Sequence, residues 1–105
     1  MVDVSKLKDP SPWHPIKDAV DLKHLGKLAE ELSECNAAVA RCIIQGVHEK
    51  EPVTGKLNID WLEDEIADIQ ANIKLVIKRF NLDEFKMHER EQRKIKHLSA
   101  WHEMA

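Results

Sequence analysis

The stretch 59–80, IDWLEDEIADIQANIKLVIKRF, decides the fold. Ile59, Leu62, Ile66, Ile69, Ile73, Val76 and Phe80 recur in steps of three and four without a break. An α-helix completes a turn in about 3.6 residues, so these side chains line up as one apolar seam. A strand, with its period of two, would scatter them over both faces. The spacing is heptad-like and suits side-by-side packing against other helices.

Outward from this helix, Asn58 is placed to act as its N-cap. Asn81-Leu82-Asp83 reads as a turn, with Asp83 capping a third helix over 83–99. Phe85, Ile95, Leu98 and Trp101 supply the weaker apolar side of that helix. Residues 47–57 contain Pro52 and Gly55 and read as a loop. Before the loop, the spacing predicts a helix over 18–45 with Gly46 as its stop signal. Its apolar positions form two adjacent stripes, Leu22, Leu25, Leu32, Val39 and Ile43 beside Leu28, Cys35 and Cys42. The middle of the expected buried face is Leu32/Cys35. Gly26 lies inside this pattern and points to a break or kink. Pro10, Pro12 and Pro15 make residues 1–15 an extended arm around Trp13 and His14, and Trp13 is expected to pack rather than stand in water. The expected fold class is all-α. It is a single domain over 1–105, an antiparallel helical bundle of two long helices with a third C-terminal helix and an N-terminal arm, completed by oligomerisation.

Composition agrees. A chain of 105 residues makes one domain, and 43% apolar residues allow a core. Three Gly and four Pro are too few for an all-β fold with many turns. No apolar run approaches the length needed to cross a bilayer, and the charged start (Asp3, Lys6, Lys8, Asp9) is no signal peptide. The expected setting is cytoplasmic, with no membrane partner. Cys35 and Cys42 lie about 10 Å apart along one helix, too far for a disulfide, and fit a reducing compartment. A net charge of -3 does not suggest a nucleic-acid binder. Charge is nonetheless uneven: five acids and no base lie between Asp60 and Asp68, and five Lys/Arg lie between Lys86 and Lys96. That balance suits a site holding a metal and an anion together.

The chemistry concentrates in two carboxylate pairs, Glu31/Glu34 and Glu65/Asp68. Each pair is spaced by three residues, one helical turn, so each projects from one side of its helix. At about 100° per residue, Glu31 and Glu65 lie roughly 60–80° to the same side of their apolar stripes, with Glu34 and Asp68 farther round. Packing the two helices antiparallel brings like flanks to the same side, so the four carboxylates should converge at the mouth of one groove. The pairs are not equidistant from the loop, and an overhang or the loop must absorb about six residues, roughly 9 Å. Converging carboxylates raise one another's pKa values and destabilise the fold unless neutralised. An oxygen-only set selects a hard cation, Mg²⁺ or Mn²⁺. The competing reading is two independent, solvated i,i+3 pairs. The six histidines show no zinc spacing or triad partner. Lys27 and Arg41 lie near the carboxylate flank.

Glu30-Glu31-x-x-Glu34, followed on the next helix by Glu65-x-x-Asp68, resembles the signature of the all-α nucleoside triphosphate pyrophosphohydrolases, the MazG-like group. The likeness covers about residues 20–80, with a longer gap between the half-motifs than is usual. It implies Mg²⁺ held by Glu31, Glu34, Glu65 and Asp68. It also implies hydrolysis of a (d)NTP to the monophosphate and pyrophosphate, as in nucleotide-pool house-cleaning. Glu30 or Glu34 would accept the proton of the attacking water. Asn72, one turn beyond Asp68, would contact sugar or phosphate. Arg79 and Lys94 are candidate phosphate contacts, Lys27 and Arg41 are substrate contacts or salt-bridge partners, and Trp13 and Trp61 are candidates to stack on the base. The resemblance also implies a homo-oligomer, a dimer or tetramer. The alternative from another class is a non-catalytic oligomerisation or adaptor module with an acidic surface.

Overall fold

The computed structural model describes residue 3 and residues 12–104. The described residues form three helices and no strand: α1 (Ala19–Gln45), α2 (Asn58–Phe80) and α3 (Glu84–Glu103). The expected arm falls partly outside the described residues.

Local chemistry explains most helix ends. The Asp18 carboxylate accepts the backbone N–H groups of Val20 and Asp21 at 2.8 and 3.0 Å, satisfying two of the donors a helix start leaves open. Gly26 does not interrupt α1, which runs unbroken through it. Gly46 ends it at φ 108°, a conformation that favours glycine. A Cβ there would also meet the Glu49 side chain at 2.9 Å. Asn81, at φ 49° and ψ 52°, ends α2 in the left-handed conformation, and Asp83 caps α3 through the N–H of Lys86. α3 runs on to Glu103, past the expected 99.

Asn58 departs from expectation. Leu57 takes the N-cap position of α2 without a side-chain bond, and Asn58 is fully buried inside the first turn. Its Nδ2 donates to Gln45 Oε1 at 3.1 Å and to the Gly46 carbonyl at 3.0 Å. The end of α1 needs donors because its last carbonyls have no partners within the helix. A buried amide that supplies them outweighs a cap made in water.

The same contacts set the direction of the pair. The start of α2 sits on the end of α1 through Asn58. At the other end, Arg79 Nε donates to Asp21 at 2.7 Å and Arg79 Nη2 to Asp18 at 3.2 Å. α1 and α2 are therefore an antiparallel hairpin. Cys42 Sγ approaches the Asn58 carbonyl at 3.7 Å, so the last turn of α1 overhangs the start of α2. That overhang takes up part of the register mismatch between the carboxylate pairs. The connecting loop is held by an antiparallel bridge between Lys50 and Leu57 and by the Glu51 carboxylate, which accepts from Val53 N, Thr54 N and Thr54 Oγ1.

The buried face of α1 is turned from the expected one. Glu31, Ala38 and Cys42 are its buried residues, with Leu28 and Cys35 half-buried beside them. Leu32 and Ile43 remain 50% and 78% exposed. The small side chains at 35, 38 and 42 let α2 approach closely, and the bulky stripe is left to one side, roughly 80° round. On α2, Asn58, Glu65 and Val76 are buried, while Ile66 and Ile73 are exposed on the matching flank. The core of buried apolar residues is only Ala38, Cys42 and Val76 among the described residues. No residue of α3 is buried. The radius of gyration is 19.6 Å, against about 13 Å for a compact chain of this length. One chain by itself does not close a bundle.

Candidate metal centre

Glu31 and Glu65 occupy core positions in the hairpin, 6% and 9% exposed. One carboxylate oxygen from each of Glu31, Glu65 and Asp68 lies within 4.8 Å of the other two, with Asp68 at the exposed rim. Glu31 Oε2 and Glu65 Oε2 are buried without a hydrogen-bond partner. Glu34 adjoins them. The charge of Glu31, then partial burial, then the charges of Glu65 and Glu30 push its carboxyl above the usual range. Three of the four carboxylates expected to converge, Glu31, Glu65 and Asp68, come together, and Glu34 lies outside that group within reach of its charge.

Lys27 answers part of this charge. Its Nζ lies 3.2 Å from Glu31 and 3.4 Å from Glu30, and these partners raise its own pKa. One ammonium does not balance the set. Buried carboxylate oxygens without donors are costly, since each gives up hydration and gains nothing. The donor set is all oxygen and includes two orphaned atoms, so it fits Mg²⁺ or Mn²⁺.

The other candidate residues are dispersed. Glu30 is exposed and paired with Lys27. Asn72 is half-buried, and its Nδ2 donates to the Asp68 carbonyl at 2.8 Å. Lys27 and Asn72, with Lys23, His24 and Leu75, line a groove of about 170 Å³ beside the carboxylates. Arg79 lies about 16 Å along α2 from Asp68 and is engaged by Asp18 and Asp21, where it ties the hairpin shut. Lys94 lies on exposed α3 beside Arg90, Arg93 and His97. Trp13 is exposed in the segment before α1.

A grouping missed in the sequence surrounds Trp61. The Arg41 guanidinium lies 5.4 Å and the Lys56 ammonium 4.2 Å from the centre of its ring. Arg41 and Trp61 are each a whole number of turns from a cluster residue, seven after Glu34 and four before Glu65, which was the available signal. Lys56 comes from the loop and has no such signal.

Comparison of the chain with protein-family models, curated proteins and solved structures returns no match.

Proposed function

We propose that this chain is a Mg²⁺-dependent, MazG-like nucleoside triphosphate pyrophosphohydrolase. It would cleave a (d)NTP to (d)NMP and pyrophosphate in the cytoplasm and work as a homo-oligomer. One observation carries the reading: two buried carboxylates, Glu31 and Glu65, meet across the hairpin and each keeps an oxygen without a partner. Packing alone would favour apolar residues there, so the arrangement is best understood as a ligand set.

Glu31, Glu34, Glu65 and Asp68 would hold the cation, with Mn²⁺ as a substitute. Bound there, Mg²⁺ would neutralise phosphate oxygens and acidify a water. Glu34, through an oxygen not used in coordination, or Glu30, which Lys27 engages, would accept the proton of the attacking water. Lys27 and Asn72 offer polar contacts in the adjoining groove. A second copy of the chain would cover the exposed apolar flank of Leu32, Val39, Ile43, Ile66 and Ile73. The exposed amphipathic α3 favours a second reading, a non-catalytic oligomerisation module.

A magnesium titration separates the two. At a hundredfold excess over Kd, Mg²⁺ should stabilise the chain by about 2.7 kcal/mol, read as a rise in Tm. Glu65→Gln should remove that rise and the release of pyrophosphate from a panel of standard and modified (d)NTPs. It should also raise the Tm of the metal-free chain, since it removes a buried charge. The absence of any Mg²⁺ effect, or release of orthophosphate instead, would defeat the proposal.

A further inference from the structure

We propose that Arg41, Lys56 and Trp61 form a subsite for the terminal phosphates of the nucleotide, and so set the direction in which the substrate lies along the hairpin. This rests on the pyrophosphohydrolase reading and adds to it.

Arg41 is half-buried, and it makes no ion pair or hydrogen bond within the described residues. Its Nε is fully buried and has no acceptor. The indole Nε1 of Trp61 is in the same condition. Burying a donor without an acceptor is costly. The acids nearby are otherwise engaged. Glu51 feels the Arg41 charge, but its oxygens accept from Val53 and Thr54 within its loop, and Asp64 pairs with Lys56. The guanidinium fork and the indole N–H share one complementary ligand, an oxyanion, and the Lys56 ammonium, which Asp64 holds, adds positive charge beside them. The planar fork suits the paired oxygens of a phosphate.

Position then narrows the ligand. Trp61 precedes Glu65 by one turn of α2, about 6 Å, and Arg41 follows Glu34 by two turns of α1, about 10 Å. Both therefore lie on the loop side of the carboxylates. A triphosphate whose middle rests at Glu31, Glu34, Glu65 and Asp68 extends its terminal phosphates to this patch. The base would then lie on the opposite side, in the groove lined by Lys27, Asn72, His24 and Leu75. Trp61 is not free to serve as the base platform, because two cations already lie over its ring.

Calorimetric titration with inorganic pyrophosphate tests the subsite, comparing wild type with Arg41→Met, Arg41→Lys and Trp61→Phe, each checked for helicity and size. With Mg²⁺ present, Arg41→Met should weaken pyrophosphate binding by roughly tenfold or more, the loss of a charge-assisted bond. Arg41→Lys should restore part of it, and Trp61→Phe should weaken it less. Affinity for Mg²⁺ alone and for a nucleoside monophosphate should not change. Equal pyrophosphate affinity in wild type and Arg41→Met overturns the proposal, as does an equal loss for monophosphate and pyrophosphate, or no pyrophosphate binding to wild type under any condition. A parallel titration of the wild-type chain with Mg²⁺ alone separates the two proposals. An Arg41-dependent pyrophosphate site, measured in EDTA, in a wild-type chain that binds no Mg²⁺ in that titration keeps the subsite and rejects the pyrophosphohydrolase.

Discussion

Asn58 illustrates why residue-scale rules stop short in this chain. Capping preferences describe a side chain and its own helix, and by that measure Asn58 should start α2. It instead bridges two helices, with Gln45 and Gly46 as acceptors. The choice is made by carbonyls that arrive from 12 and 13 residues away, so no local pattern could show it. Asn58→Ala should therefore cost about 1–3 kcal/mol, since it leaves buried acceptors unpaired. Urea unfolding at fixed protein concentration measures this. A loss under a few tenths would match a solvent-exposed cap and contradict the bridging role. At the same scale, the carboxylates were fully legible as residues. Their spacing named the members, and only the fold decided that Glu31 and Glu65 are buried while Asp68 is not.

At the scale of elements, the start of α1 and the end of α2 are coupled through Asp18 and Arg79. The Asp18 carboxyl is held below its ordinary value of 3.8, chiefly by the N–H groups of Asp21 and Val20, with Arg79 adding to them. A depressed carboxylate stabilises the fold when ionised. Its contribution is present above pH 3.8 and is lost as pH falls through the lower folded value. Asp18→Ala should lower Tm at neutral pH, and the gap from wild type should narrow as pH drops below 3.8. Thermal melts across that range test the sign, and a gap that widens in acid would refute it. Arg79 was a candidate phosphate contact on charge alone. Its two acidic partners sit at the far end of the hairpin, which periodicity within α2 cannot reveal.

At the scale of the molecule, the exposed flank of the hairpin predicts association. Leu32 and Ile66 lie on it, away from the carboxylates. The double variant Leu32→Glu/Ile66→Glu should sediment as a smaller species than wild type at equal concentration, with lower helicity, because the isolated hairpin has little core. A wild-type chain that sediments as a monomer would remove the reason for the substitution.

The helices themselves could be read directly from the chain. Apolar steps of three and four, Gly46 as a stop and Asp83 as a cap are interactions between neighbours in sequence, and neighbours suffice to set them. The carboxylate pairs were legible for the same reason, since a turn of helix is a local ruler. What only the packed hairpin settled is rotation and register. The close approach at Ala38 and Cys42 turned Leu32 outward and Glu31 inward, and the overhang at Asn58 brought Glu31 level with Glu65 and Asp68. Both depend on how two surfaces fit across space, and a one-dimensional pattern with two adjacent apolar stripes leaves that fit undetermined. The loop residue Lys56 reached Trp61 by the same route, through a turn whose path the sequence does not encode as a period.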